Sequence, residues 1–126
     1  MPARIVYAVR AAAALAAAAP ATIKAQALAE AHDIPLAYLY ELLTALRRAG
    51  LVHTQRGSDG GYGLHRPPDQ VTLGDIVRAL DGPAAYAATP VAASTVDERL
   101  YQLWRSADHA TMRVLDEVTL ADLPGG

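Results

Sequence analysis

The sequence predicts a mainly α chain with a small β-hairpin: a winged helix-turn-helix followed by a long C-terminal helix. Three observations predict it. Leu39, Leu42, Leu43 and Leu46 form one stripe at helical spacing just before Gly50. Two short apolar runs, around Leu51–Thr54 and Tyr62–Leu64, bracket the glycine-rich tip QRGSDGG. From Val96 onward, apolar residues recur in steps of four and three, the pattern of a helix seam that needs a partner.

The elements follow in order. A first helix is expected from Ala3 to Ala18, stopped by Pro20, with Ile5, Val9, Ala12 and Leu15 inward. Thr22 can cap a second helix running to about Ala31, with Ile23, Ala27 and Leu28 inward. Asp33-Ile34-Pro35 makes the turn, and Pro35 suits the first turn of a third helix over Leu36 to Ala49. The face opposite its leucine stripe carries Ala37, Glu41, Thr44 and Arg48, flanked by Tyr38 and Tyr40. Gly50 can adopt the left-handed conformation that ends it. After the hairpin, Thr72 and Asp75 resemble a capping box opening a fourth helix, closed by Gly82-Pro83. Pro83 to Ser94 is Ala/Pro-rich and aperiodic, a linker. Thr95 and Glu98 form a second capping box, opening a helix to about Val118. Its seam uses Val96, Leu100, Leu103, Ala107, Ala110 and Val114, widened by Trp104, Thr111, Leu115 and Val118.

Composition narrows the function. The 126 residues contain no cysteine, which excludes disulfides, thiolate metal sites and cysteine nucleophiles within them. His32, His53, His65 and His109 are scattered without ligand spacing, so no metal site is expected. No nucleophile–base set or phosphate loop is present, which argues against an enzyme. Arg4, Arg10 and the alanine run imitate a secretion signal, but polyalanine is a poor apolar region and Pro20 interrupts it. The expectation is a buried first helix in a soluble cytoplasmic protein, with no membrane segment. Net charge is -2, but unevenly spread. Residues 1–66 carry seven cations and four anions, whereas residues 67–126 carry four cations and nine anions. A basic front and an acidic back suit a DNA reader joined to another module.

Helix two, the turn and helix three form the helix-turn-helix proper, and the hairpin is its wing. YLYELLTALRRAGLVHTQRGSDGGYGLHRPPDQVTLGDIVRALDGP, with YAVRA at Tyr7–Ala11, LYQLWR at Leu100–Arg105 and TLADL at Thr119–Leu123, resembles the signature of the Rrf2 family of bacterial transcriptional regulators. That family includes the iron–sulfur cluster regulator, the nitric-oxide-sensing repressor and the cysteine-metabolism repressor. The resemblance implies a homodimer, joined by its long helices, that binds a roughly palindromic duplex operator and acts as a repressor. It implies base reading in the major groove from the segment Pro35 to Glu41. It also implies minor-groove entry by Arg56 beside Gly57, where an arginine gains from the enhanced negative potential of a narrow groove. The candidate DNA-contacting set is therefore Tyr7, Arg10, Pro35, Ala37, Tyr38, Tyr40, Glu41, Thr44, Arg48, Arg56 and Gly57. Arg47 divides evenly between DNA and covering a core edge.

Two departures from the family pattern matter. The family often has Ser where this chain has Pro35, and Glu-Gln where it has Tyr40-Glu41, so no operator can be borrowed. Cluster-bearing members carry three cysteines in the stretch matching Pro83 to Leu103, and here there are none; Tyr101 stands where one member has a histidine ligand. No thiolate-ligated cluster is expected, and no cofactor. The organisation is then a DNA-binding domain over 1–82, a linker over 83–94 in place of the cysteine-bearing sensor segment, and a dimerisation helix with its tail over 95–126. The dimer set is Val96, Leu100, Leu103, Ala107, Val114, Leu115 and Val118. Tyr86, Tyr101 and Trp104 mark a candidate effector pocket for a small molecule or a protein partner, although Trp104 also suits a plain packing role. The rival reading is a winged-helix module that docks a partner enzyme, with DNA binding secondary and the acidic half as its docking face.

Overall fold

The computed structural model describes residues 2–58, 60–81 and 94–124. The expected stop at Gly82-Pro83, nearly all of the linker and Tyr86 lie outside the described residues. Among the described residues, five helices and a two-stranded antiparallel hairpin make up the fold: α1 Ala3–Ala18, α2 Ala25–His32, α3 Leu36–Arg48, β1 Val52–Gln55, β2 Gly61–Leu64, α4 Leu73–Asp81 and α5 Thr95–Asp116. Short 3-10 turns occupy Pro68–Gln70 and Leu120–Asp122.

Alanine makes α1 a slim central post. Ala8, Ala11, Ala12, Leu15 and Ala16 are buried, and their short side chains let α3, α4 and β2 approach closely. Ile5 and Val9, expected inward, are half-buried. The leucine stripe of α3 closes the core from the other side, with Leu39, Leu42, Leu43 and Leu46 all buried. Leu28, Ile34, Leu51, Val71, Ile76 and Leu120 complete it, and no polar side chain is buried among the described residues.

α2 begins two residues later than expected. Ile23 is held in an isolated antiparallel bridge with Tyr62, with N–H···O bonds of 2.9 and 2.8 Å in the two directions. That pairing keeps the backbone extended through Lys24, so Thr22 cannot serve as the cap. The buried residues of α2 are Ala25, Leu28 and Ala29, which share one face at helical spacing; Ala27, expected inward, lies off that face and is exposed. α2 ends at Asp33, a non-glycine residue in the left-handed region (φ 53°). Asp and Asn tolerate that region best.

The end of α3 is set by local chemistry. Gly50 has φ 78°; its N–H donates to the Arg47 carbonyl (2.9 Å), and the Leu51 N–H donates to the Leu46 carbonyl (3.0 Å). These two bonds, with Leu51 and Leu46 both buried, form a Schellman motif. It turns the chain directly into β1. The hairpin register pairs Val52 with Leu64, His53 with Gly63, Thr54 with Tyr62 and Gln55 with Gly61.

Thr72 and Asp75 cap α4 reciprocally: the Thr72 N–H donates to Asp75 Oδ2 (3.0 Å) and the Asp75 N–H to Thr72 Oγ1 (2.9 Å). α5 is capped one residue earlier than expected, where Ser94 Oγ accepts from the Asp97 N–H (3.1 Å). Both Ser94 and Thr95 have an acid three residues on, and the first of the two frames is used. α5 ends at Asp116, short of Val118, because the next residues leave the helix to pair elsewhere. The Leu73 N–H donates to the Val118 carbonyl, and the Leu120 N–H to the Val71 carbonyl, both at 2.9 Å. A capping box between Thr119 and Asp122 then fixes the turn that buries Leu120. The C-terminal end of α5 is thereby pinned to the start of α4. There Gly74 lies so close to Asp116 that a Cβ would overlap its carboxylate. Arg78 binds the same carboxylate, Thr72 Oγ1 donates to it at 3.5 Å, and Asp75 lies 3.6 Å from Arg78.

Candidate nucleic-acid interface

The helix-turn-helix puts the start of α3 at the surface. Pro35, Ala37, Tyr40 and Glu41 are exposed, and Tyr38 and Thr44 are half-buried. Leucines at every third or fourth position hold the opposite face in the core, so these residues share one outward strip. Thr44 Oγ1 donates to the Tyr40 carbonyl at 2.7 Å, so its proton is used within the helix and its lone pairs remain free to accept. Arg47 and Arg48 are exposed on the last turn.

The wing carries Arg56 and Gly57 at its exposed tip. Gly57 has φ 106°, a conformation that side chains disfavour, and the Gly60 N–H donates to its carbonyl at 3.0 Å. Gly60 is buried against the Gln55 and Arg56 backbone, 2.9 Å from Arg56 C to an ideal Cβ. The tip is thus a tight glycine-lined turn with one long cation on it.

Tyr7 joins α1 to this strip. Its ring meets that of Tyr38 edge-on, with centroids 5.9 Å apart and planes at 82°. The Arg10 guanidinium carbon stands 6.0 Å from the Tyr7 ring centre. Arg10 also lines a broad groove shared with α4 and α5.

Among the described residues the ion pairs are Arg4 with Asp81, and Arg78 with Asp75 and Asp116. The first ties α1 to α4 and the Asp116 pair ties α4 to α5, whereas Arg78–Asp75 lies within α4. The Asp116 carboxyl is held below the usual carboxylate range, first by its hydrogen bond from Arg78, and Arg78 is raised in turn by the same bond. Of the cations that make no ion pair among the described residues, Lys24, Arg47, Arg48, Arg56 and Arg66 lie on the helix-turn-helix and around its wing, Arg10 on α1, and Arg99, Arg105 and Arg113 on α5. Exposed cations on α3 and the wing tip suit contact with phosphate.

The groove between α1, α4 and α5 has a volume of about 1360 Å³. Ile5, Val6, Val9, Val77, Trp104 and Leu115 form its apolar wall, and Tyr101 lines it too. The structure thus brings two of the three candidate effector-pocket residues together. α5 has no buried residue along its 22 positions. Val96 is 75% exposed and Trp104 67%, and Leu100, Leu103 and Val114 are also exposed. Ala107 is exposed, Leu115 is half-buried, and Val118 is half-buried beyond the helix end.

Several features were beyond sequence reasoning. His53 and His65 meet edge-on at 6.3 Å, because their positions are diagonal neighbours across the hairpin. Only the register could have revealed that. The Ile23–Tyr62 bridge and the Gly74–Asp116 approach depend on residues 39 and 42 positions apart, and nothing local announces them. Among the described residues no group of three or more metal-ligating side chains occurs, and no helix is long and apolar enough to cross a membrane.

Comparison with known proteins agrees with this geometry. Residues 1–125 match the family model Rrf2, described as iron-dependent transcriptional regulator. A Mycobacterium tuberculosis protein named as an HTH-type transcriptional regulator, MT1325, is 40% identical over 133 aligned positions, covering 100% of this chain and 81% of that one. The HTH-type transcriptional regulator CymR of Bacillus subtilis is 39% identical, covering 82% of this chain and 72% of its own. Among solved structures, CymR, the global cysteine regulator of B. subtilis, superposes with a TM-score of 0.75 at 33% identity, covering 97% and 93% of the two chains. The IscR of T. potens gives 0.76 at 32% identity, covering 97% and 83%. A winged helix-turn-helix with exposed cations on its third helix and wing, matched over its whole length by such proteins, is a DNA-binding transcriptional regulator rather than an enzyme, and the chain belongs to the Rrf2 family.

Proposed function

We propose that this regulator acts as a homodimer that represses transcription from a roughly palindromic operator, without an iron–sulfur cluster. One observation carries the dimer: a 22-residue helix with no buried side chain stands beside an apolar groove. At 1.5 Å per residue α5 is about 33 Å long, and an isolated seam of Val96, Leu100, Leu103 and Val114 is costly to leave in water. A second copy of the same helix is its natural cover. Two-fold symmetry would then present two α3 helices and two wings to one face of a duplex. Sedimentation at micromolar concentration tests this; a clean monomer would remove the basis for reading a palindrome.

DNA contact is assigned to the exposed strip of α3 and to the wing. Pro35, Ala37, Tyr40 and Glu41 reach base edges, Arg56 with Gly57 enters the minor groove, and Arg48, Tyr38 and Tyr7 serve phosphate or position the helix. The exposure of Arg47, Arg48 and Arg56, which make no ion pair among the described residues, favours DNA over the docking-module alternative, whose acidic half is partly consumed by internal pairs at Asp75, Asp81 and Asp116.

The residues present do not fit an iron–sulfur cluster. No cysteine exists in the chain, and the phenol of Tyr101 stands where a histidine ligand would be. Sensing, where it occurs, is assigned to the groove around Tyr101 and Trp104. A ligand there changes DNA affinity only by binding one dimer arrangement better than another. Trp104 is the single tryptophan, so its emission reads this directly. A metabolite that releases DNA without altering that emission, together with normal regulation by Trp104→Phe, would place the sensor elsewhere.

A further inference from the structure

Lys24 is the only lysine in the chain. Its backbone is extended (φ -69°, ψ 143°), it is exposed, and it makes no ion pair among the described residues. Its position is fixed by both the wing and α2, whose first turn it caps through the Leu28 N–H bond to its carbonyl (3.0 Å). Ile23, its predecessor, is bonded in both directions to Tyr62. Gly61 packs so tightly on this peptide that a Cβ there would lie 2.6 Å from Ile23 C and O and 2.9 Å from Lys24 N. Gly61 in turn pairs with Gln55, the neighbour of Arg56. Three chain segments therefore lie side by side: the entry to α2, then β2, then β1 with its arginine tip. Strands sit about 4.8 Å apart, so Lys24 is offset from the Arg56 segment by roughly 10 Å. A minor groove is about 6 Å wide. With Arg56 in the groove, that offset would bring the Lys24 backbone near the flanking sugar–phosphate rail, a distance a four-carbon stem can span.

We propose that Lys24 is a phosphate-binding residue, held by the Ile23–Tyr62 bridge at a fixed offset from the wing, so that it engages the DNA backbone flanking the groove that Arg56 enters. The inference rests on the DNA reading of the wing above. It assigns Lys24 a sequence-independent role: it holds the wing against the duplex while Arg56 does the reading.

The test uses the full chain and a mixed-sequence 30-base-pair duplex followed by fluorescence anisotropy from 50 to 200 mM salt. Each neutralised phosphate adds about -0.9 to the slope of log K against log salt. Lys24→Gln is expected to shallow the slope by about 0.9 per subunit, equivalent to about a threefold change in the wild-type to variant affinity ratio across that range. Lys24→Arg is expected to keep the wild-type slope. The second measurement needs no variant. Acetylation of the single ε-amine by an N-hydroxysuccinimide ester, followed by peptide mapping that separates it from the α-amine, should slow when the duplex is present and recover when salt dissociates the complex. An unchanged slope in Lys24→Gln, or, should that variant misfold, an acetylation rate indifferent to duplex, overturns the assignment. Failure of the wing reading looks different: the wild-type chain itself would then bind without a salt-dependent slope, or Arg56→Ala would leave base preference intact.

Discussion

Replacing Gly74 by alanine should destabilise the protein, although alanine is the better helix former. Gly74 lies in the first turn of α4, and an added Cβ overlaps the Asp116 carboxylate at the base of α5. That carboxylate cannot simply swing away, because Arg78 and Thr72 bind it. Overpacking of this kind costs about 1–3 kcal/mol. Alanine returns about 1 kcal/mol of helix propensity. The net expectation is a loss of about 1 kcal/mol, a fall in Tm of about 4 °C for a domain of this size. The background Asp116→Ala removes both atoms closest to the new Cβ, leaving Arg78 Nη1 at 3.4 Å as the nearest remaining contact. There Gly74→Ala should become neutral or stabilising. Thermal melts of the four proteins at one fixed concentration measure the coupling. A Gly74→Ala that stabilises the wild type, or that costs the same in both backgrounds, would refute the close approach of α4 and α5.

Other outcomes follow from the same geometry. Arg56→Ala should weaken binding to the preferred site by about 1–3 kcal/mol and relax base preference near the wing, read by anisotropy against matched and substituted duplexes. Leu103→Asp places a charge in the exposed α5 seam and should shift sedimentation from dimer to monomer while circular dichroism keeps its helical signal. Asp116 has a folded pKa below its ordinary value of 3.8. Its contribution is therefore complete above that value and is lost as pH falls through the folded pKa. Urea midpoints of wild type and Asp116→Asn should differ at neutral pH and converge in strong acid; a difference that grows on acidification would contradict the pairing.

The parts of the fold legible in the sequence are those set within a few residues. The leucine stripe of α3, the Schellman turn at Gly50, the reciprocal Thr72–Asp75 cap and the limits of α1 all depend on neighbours in the chain. Misplaced boundaries share another cause. Thr22 has the chemistry of a cap, but the bridge from Ile23 to Tyr62 keeps the chain extended. Val118 continues the apolar period of α5, but its carbonyl accepts from Leu73 and draws it out of the helix. Ser94 and Thr95 offer competing cap frames that differ by one residue, which local patterning does not separate. For the candidate interface, the period of α3 and the glycines of the wing identified the exposed strip and the arginine tip. The edge-on contact of Tyr7 with Tyr38 and the approach of Lys24 to the wing come from tertiary packing, so the linkage of α1, α2 and β2 to that strip became visible only in three dimensions.

The most direct test of a dimeric reader built from α3 and the wing is selection of bound sequences from a random duplex pool by the purified full-length chain. The enriched sites should form an inverted repeat with half-site centres about one helical turn, or a multiple of it, apart. The same selection with Arg56→Ala should lose preference at symmetric positions. Enrichment of a lone half-site, or no enrichment at any salt concentration, would contradict it.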